Sequence, residues 1–143
     1  MSKSPIPLEP NNDWWWYIAK RKLLKFLIDK KLKEKKINHI LEIGPGLGNN
    51  IKLLKDFGSV DVLETEDEFI EHLKQNLDDK INKFYNDLNN IEKKFDLIVM
   101  LDVLEHIENS YEFMESLKKY LNKKALQIRI NKNQDYPLRL TSR

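Results

Sequence analysis

Glycine is scarce in this chain, yet three of its four glycines fall within five residues, at Gly44, Gly46 and Gly48. They follow an apolar run that predicts a buried β-strand, and a helical pattern begins shortly after them. Glycine collects at such a turn where the backbone needs unusual dihedral angles or must approach a bound molecule closely. A tight turn needed only for packing is the alternative, but the cluster favours a ligand-binding loop.

The spacing of these glycines indicates which ligands the loop suits. A dinucleotide-binding fingerprint, Gly-x-Gly-x-x-Gly, requires glycine at position 49, where this chain has Asn49. Glu42 stands two residues before the first glycine and places a carboxylate at the mouth of the predicted cleft. That carboxylate would repel a pyrophosphate but could hold an ammonium group or hydroxyls. The pattern therefore argues against a nicotinamide dinucleotide.

Acidic residues also follow the next two predicted strands. Glu64 ends the second apolar run about 20 residues after the first glycine, where Rossmann-type folds hold the hydroxyls of a ribose. The alternative is that Glu64 only begins the acidic run 64–68, which suits the electropositive start of the next helix. Asp87 follows the third predicted strand, and there a turn or helix-capping aspartate is the competing interpretation.

A fourth segment, 95–107, combines a buried-strand pattern with groups capable of proton transfer. Glu105 and His106 follow that strand, and a histidine takes up and releases protons near neutral pH, as a general base must. The alternative is that His106 caps or packs a loop.

In this order, the four segments resemble those of the class I S-adenosylmethionine-dependent methyltransferases that act on small molecules. The first motif of that family is an acid, any residue and then Gly-x-Gly-x-Gly, which residues 42–48 match throughout. The resemblance implies S-adenosylmethionine as cofactor and S-adenosylhomocysteine as product. It assigns the ribose to Glu64, the adenine amino group to Asp87 and the methionine portion to 100–102. The cofactor-binding residues that it implies are Glu42, Gly44, Pro45, Gly46, Gly48, Glu64, Thr65, Asp87, Leu88, Met100, Leu101 and Asp102.

The resemblance also implies how an acceptor is bound and activated. Methyl transfer from a sulfonium is an in-line displacement, so the site needs alignment and desolvation, with a base only for a protonated acceptor. Glu105 and His106 are the candidate catalytic residues. In many members of the family, an N-terminal helix closes over the cofactor and contributes to the acceptor pocket. A similar segment here comprises Trp14, Trp15, Trp16 and Arg21, so the resemblance implies the same role for it. Simple packing of a first helix against the sheet is the alternative.

Short apolar runs alternate with helical patterns, as expected for an α/β fold with a mostly parallel sheet. We predict strands over 39–43, 60–64, 83–85, 95–101 and 125–130, and helices over 14–35, 49–57, 67–76 and 110–121, with a weak one near 88–93. The architecture implied is a Rossmann-like three-layer sandwich with strand order 3-2-1-4-5. Gly58 should take the left-handed position that ends the second helix. The first helix should bury an apolar stripe comprising Trp15, Ile18, Leu23, Phe26, Leu27 and Leu32.

The resemblance covers roughly residues 37–130 and fails beyond them. The family sheet normally ends in a hairpin of strands 6 and 7, whereas only residues 131–143 remain here, with Pro137 among them. We therefore expect the hairpin to be missing and the fifth strand to be an exposed sheet edge. Such an edge predicts a homodimer or a partner chain that pairs along it.

Composition bounds the remaining possibilities. The 143 residues suit a single domain, with a lead-in and helix over 1–36, a cofactor-binding core over 37–130 and a tail over 131–143. Because the chain has no cysteine, thiolate metal sites and disulfides are excluded, no metal site is expected, and a cytoplasmic location fits. The 25 basic and 23 acidic side chains nearly cancel, so nucleic acid is not an expected partner. No apolar run is long enough to cross a membrane.

The function predicted on these grounds is methyl transfer to a small-molecule, sugar or lipid-intermediate acceptor. The rival prediction is a non-catalytic binding or scaffold subunit that recognises a partner through the open sheet edge.

Overall fold

The computed structural model describes residues 14–32, 36–130 and 138–142, so the predicted lead-in before the first helix lies outside it. The strands are β1 His39–Ile43, β2 Ser59–Leu63, β3 Lys83–Tyr85, β4 Phe95–Leu101, β5 Leu121–Ile130 and β6 Leu138–Ser142. The helices are α1 Trp14–Leu32, α2 Ile51–Lys55, α3 Asp67–Leu77 and α4 Ser110–Leu117. Single 3₁₀ turns occur at Asp78–Lys80, Leu88–Asn90, Leu104–His106 and Lys118–Tyr120. No helix within the described ranges has the length and apolar character needed to cross a membrane.

The sheet has the order β3-β2-β1-β4-β5-β6, and its first five strands are parallel. The predicted order of five strands is therefore confirmed. Strand β1 is central, and its last residue, Ile43, lies opposite Leu63 of β2 and Met100 of β4. The carboxyl ends of β1, β2 and β4 consequently meet at one edge, which is where open α/β sheets bind ligands.

The expectation that the fifth strand is an exposed edge is wrong. Strand β6 pairs antiparallel with β5, from Leu126 opposite Ser142 to Ile130 opposite Leu138. Pro137 precedes the first paired residue of β6, so it removes no backbone donor from the paired stretch. Strand β5 also begins at Leu121, four residues before the predicted start. The side of β5 on which a partner was predicted is thus covered by the chain itself.

The hydrophobic core forms one cluster on each face of the sheet, because successive side chains of a strand point to opposite faces. On one face, Ile40, Val62 and Val99 pack with residues of α1, α2 and α3. On the other face, Leu41 and Ile98 pack with Leu117 of α4. These two clusters account for the three layers that the pattern of elements predicts.

Helix α1 buries a different face from the one predicted. Its buried residues are Lys20, Leu24, Leu27 and Ile28, whereas Trp15 and Phe26 are each 62% exposed. Apolar residues occur all around this helix, so more than one stripe satisfies a 3.6-residue period. Packing against the sheet selects among them, and only Leu27 of the predicted stripe is fully buried; the side chain of Leu32 lies outside the description.

Gly58 ends the loop after α2 for a reason other than the predicted one. Its φ is not positive, so the left-handed assignment is wrong. A Cβ atom at this position would lie only 2.9 Å from the carbonyl oxygen of Asn38. The position therefore requires glycine because two backbone segments approach each other closely.

Candidate functional site

The glycine loop after β1 adopts the unusual backbone geometry that the sequence indicates. Gly44, Gly46 and Gly48 have φ values of 66°, 57° and 80°, in the left-handed region. A Cβ atom at Gly44 would lie 2.7 Å from Val103, and one at Gly48 would lie 2.4 Å from Leu77, so a larger residue at either position would combine a strained φ with displacement of these side chains. At Gly46 the nearest atom, on the Phe69 ring, would be 4.0 Å away. The loop is thus packed at its ends and open in the middle.

A cavity of about 230 Å³ lies against the open part of the loop, at the carboxyl ends of β1 and β4. Four elements meet around it: helix α1, strand β1 with its glycine loop, helix α3, and the end of β4. The residues that line it are Tyr17, Lys20, Glu42, Gly44, Pro45, Gly46, Leu47, Asn49, Asn50, Phe69, Leu101 and Asp102. Six of the predicted cofactor-binding residues are therefore brought together here.

Glu42 is the most unusual side chain of this cavity. It is 2% exposed, and its Oε2 atom has no hydrogen-bond partner among the described residues. Burial raises the pKa of Glu42 to about 8; nearby Lys20 opposes this effect and Glu64 adds to it. The side chain therefore holds a proton at neutral pH. A buried polar atom without a partner costs free energy unless a ligand satisfies it, so Glu42 is suited to meet a hydrogen-bond donor or a cation in the cavity.

Lys20 and Asp102 link helix α1 to the end of β4. The Lys20 ammonium is buried, pairs with the Asp102 carboxylate, and lies 4.8 Å from the centroid of the Tyr17 ring. Asp102 has a φ of 57°, a conformation that aspartate tolerates better than most residues, and its backbone N–H donates to the Ile130 carbonyl at 2.6 Å. The described lining of the cavity thus contains one buried cation and two carboxyl groups.

Sequence reasoning missed Lys20, and no local signal identifies it. Lysine is frequent along α1, and the partner of Lys20 is 82 residues away in the chain. Sequence reasoning also missed Asn50. This residue lines the cavity, and its buried Oδ1 has no hydrogen-bond partner within the described part of the chain.

Glu64 lies at the end of β2 and supports the glycine loop. Its Oε2 accepts the Gly46 N–H at 3.2 Å, and its Oε1 accepts the N–H groups of Thr65 and Glu66 at 3.0 and 3.1 Å. These bonds hold a buried carboxylate in a fixed orientation beside the open glycine. Because a carboxylate has about four acceptor positions, Glu64 retains capacity for a ligand hydroxyl.

Other predicted site residues lie outside the cavity lining. Asp87 caps the 3₁₀ turn Leu88–Asn90 by accepting the Asn89 N–H at 2.9 Å, which is the capping arrangement considered as its alternative. Met100 is fully buried in the core cluster on the α4 side, so its side chain does not face the cavity. The side chain of His106 is 77% exposed, with Nε2 3.6 Å from Glu105 Oε1.

The N-terminal residues predicted to cover the site are dispersed. The side chains of Trp14 and Trp16 lie outside the described structure, and Trp15 is mostly exposed. Arg21 and Gly48 line a second cavity of about 470 Å³. From α1, it is Tyr17 and Lys20 that reach the first cavity.

The charges around the first cavity indicate the ligand chemistry it suits. Carboxyl groups of Glu42 and Asp102 line it, and the Glu64 carboxylate accepts a hydrogen bond from Gly46 in the lining. Such a site suits a ligand with an ammonium group, another positive centre or hydroxyls. The single cation, Lys20, can accommodate one carboxylate at the same place.

Comparison with known proteins identifies the family of this chain. The family model for a methyltransferase domain matches residues 15–130, which confirms the predicted resemblance. No curated protein matches the sequence.

Solved structures share the fold. BpumL, a plantazolicin methyltransferase solved with a pentazolic desmethylPZN analog and SAH, has a TM-score of 0.69 and 22% identity, covering 83% of this chain and 49% of that chain. CalS10, an amino pentose methyltransferase from Micromonospora echinaspora solved with SAM, has a TM-score of 0.70 and 11% identity, covering 83% and 52%. DesVI from Streptomyces venezuelae has a TM-score of 0.61 and 16% identity, covering 81% and 51%. The chain spans about half the length of these solved relatives.

Proposed function

The chain belongs to the methyltransferase-domain family, and from this premise we propose that it binds S-adenosylmethionine in the cavity beside the glycine loop and transfers the methyl group to a small-molecule acceptor. The observation that carries the proposal is Glu42, a buried carboxyl group whose Oε2 has no partner within the described residues and which lines the cavity beside the open Gly46. The family supplies the reaction class, and the local chemistry fits the cofactor.

The groups around the cavity match the parts of this cofactor. Its ammonium group and sulfonium suit the carboxyl groups of Glu42 and Asp102, and its carboxylate suits the Lys20 ammonium. Its ribose hydroxyls suit Glu64, which is already oriented by three backbone N–H groups. When bound, the cofactor supplies an electrophilic methyl group. The protein contributes binding, alignment and exclusion of water, which is most of what an in-line displacement requires.

We assign Glu105 and His106 to the acceptor. They lie on the turn Leu104–His106, which directly follows Asp102 and Val103, so they stand beside the cofactor cavity without lining it. His106 is exposed and can accept a proton from an acceptor that approaches from solvent. Asp87 with Leu88 is proposed to contact the adenine from the neighbouring strand end, as the family resemblance implies.

A small-molecule acceptor, such as a sugar or another metabolite, is supported by the solved relatives, which include an amino pentose methyltransferase and a plantazolicin methyltransferase. The nearly balanced charge of the chain offers no basis for a nucleic-acid acceptor. A cytoplasmic location is supported by the absence of cysteine. The rival scaffold role was argued from an open β5 edge, and β6 now covers that edge over 126–130.

Isothermal titration tests the cofactor assignment. Wild-type protein should bind S-adenosylmethionine and S-adenosylhomocysteine but not NAD. The isosteric Glu42→Gln variant should bind both at least about tenfold more weakly, because it cannot provide a negative charge; tenfold corresponds to about 1.4 kcal/mol. Glu68→Gln, which changes an exposed acid on α3, is the matched control and should bind as the wild type does. Equal affinities of the Glu42→Gln variant and wild type, or binding of NAD, would contradict the assignment.

A further inference from the structure

The second cavity, of about 470 Å³, lies beyond the glycine loop from the first one and has the opposite electrostatic character. Three basic side chains from three elements line it: Arg21 of α1, Lys52 of α2, and Lys80 of the 3₁₀ turn after α3. None of the described residues that line it carries a carboxylate. The two cavities share Leu47 and Asn49, so a positive and a carboxyl-rich cavity lie on either side of one loop.

The positive charge of the second cavity is only partly neutralised. Lys80 pairs with Asp79 at 3.1 Å, an exposed neighbour that does not line the cavity. Arg21 and Lys52 take part in no ion pair across the parts of the chain that are described. Two cations therefore face the same space without a counter-charge, and an anion there would bind to both.

Polar and apolar groups complete the lining. The amide of Asn76 is held in place, because its Nδ2 donates to the His72 carbonyl at 2.9 Å, and Asn49 adds a second amide. Leu53 and Leu77 provide apolar surface within the same cavity. A volume of this size is in the range of small-molecule sites, which combine apolar lining with a few polar groups.

We propose that this second cavity binds a small phosphorylated molecule, with Arg21 and Lys52 contacting the phosphate and Leu53 and Leu77 contacting the organic part. A phosphate monoester carries about −1.5 to −2 charges at neutral pH, which matches the two uncompensated cations. The guanidinium of Arg21 can bind phosphate oxygens through two parallel hydrogen bonds.

This site goes beyond the proposed methyl transfer and does not depend on it. Carboxyl groups line the first cavity and basic side chains line the second, so the two cavities suit ligands of different charge. The ligand of the second cavity is therefore distinct from S-adenosylmethionine.

The test is a titration of the full chain with inorganic phosphate and glucose 6-phosphate, followed by backbone amide NMR at constant ionic strength. Glucose and sodium chloride are the controls. Both phosphate probes should cause saturable changes in amide chemical shift, centred on Arg21, Lys52 and 76–80. Glucose 6-phosphate should bind more tightly than inorganic phosphate. Glucose should cause no such changes. If neither probe saturates the protein below about 10 mM, the proposal is overturned; a dissociation constant of about 10 mM corresponds to a binding free energy of about −2.7 kcal/mol. Shifts centred on 42–46 and 101–102 would overturn it equally, because they would place the anion in the first cavity.

Two double variants distinguish binding at this cavity from general attraction to the positive charge of the protein surface. Arg21→Gln with Lys52→Gln removes the two cations of the cavity; Lys22→Gln with Lys30→Gln removes two exposed cations of α1 that do not line it. All four side chains are exposed, so both proteins should fold, which thermal unfolding verifies. The first variant should bind glucose 6-phosphate at least about tenfold more weakly, and the second within about twofold of wild type. An equal loss in both would overturn the site. S-adenosylhomocysteine affinity, measured on a Lys52→Gln single variant, should be unchanged and reports separately on the proposed function.

Discussion

Glu42 shows how one residue can link folding, ionisation and ligand binding. Its side chain is buried, and its pKa is raised to about 8, chiefly by burial and further by the Glu64 carboxyl group. A cation placed against it would favour the ionised form and release the proton. Binding of a cationic ligand should therefore be coupled to deprotonation of this single residue.

The raised pKa of Glu42 predicts that stability falls as pH rises. In the unfolded chain the carboxyl group loses its proton near its ordinary value of 4.5, while in the folded chain it keeps the proton up to about pH 8. Between these values the unfolded state binds fewer protons, so Glu42 lowers the free energy of unfolding by about 1.4 kcal/mol per pH unit.

Urea unfolding at pH 5, 6.5 and 8 measures this effect. The Glu42→Gln variant cannot ionise, so its stability should fall less steeply than that of wild type over the same pH range. Parallel pH profiles for the two proteins would show that Glu42 ionises at its ordinary pKa in the fold.

At the scale of elements, Asp96 joins three strands at the end of the sheet opposite the cavity. Its Oδ2 accepts the N–H groups of Asn38 and His39 at 2.9 and 3.0 Å, which anchors the start of β1 to β4. Its Oδ1 accepts the side-chain amide of Asn122 in β5 at 2.9 Å. Partial burial opposes ionisation, but these hydrogen bonds outweigh it, so the pKa of Asp96 is lowered.

Asp96→Ala should reduce the free energy of unfolding by about 2–4 kcal/mol, because three hydrogen bonds to a charged group are lost and solvent compensates in part. Since the folded-state pKa is depressed, the contribution of Asp96 should be complete above its ordinary pKa of 3.8 and disappear as pH falls below it. Asp78→Ala, an exposed aspartate in a 3₁₀ turn, is the control and should change stability by less than about 0.5 kcal/mol. Equal chemical-denaturation midpoints for the Asp96→Ala and Asp78→Ala variants would contradict this role.

At the scale of the whole molecule, β6 covers one side of β5. It pairs with β5 over 126–130, so the last of the parallel strands has hydrogen-bonding partners on both sides there. Sheet edges with unpaired backbone groups promote pairing with other chains. Strand β6 therefore removes one such unpaired segment from the surface.

A chain that stops at residue 137 should expose this segment and self-associate with increasing concentration. A chain that stops at residue 142 keeps all of β6 and is the matched control. Light scattering across a concentration series should show a rising mass for the first chain relative to the second. Indistinguishable masses at every concentration would show that β6 does not protect β5.

Local sequence patterns predicted some features of this fold correctly and missed others that depend on contacts between distant residues. The glycine loop, β1, β3 and β4 were predicted from local patterns, and their bounds agree with the structure. Local patterns did not reveal that Gly48 lies against Leu73 and Leu77, since those leucines follow 25 and 29 residues later in the chain. The buried face of α1 was misassigned because its apolar residues do not define a single stripe.

By itself, the sequence determined the alternation of strands and helices, the position of the glycine loop and the acids beside it, because hydrophobic period and turn chemistry depend on neighbouring residues. The tertiary structure decided which side of α1 is buried, the pairing of Lys20 with Asp102, the placement of Arg21 in a second cavity, and the covering of β5 by β6. Each of these depends on contacts between residues far apart in the chain. Many sequences with the same local pattern could make such contacts differently, so only the folded chain selects among them.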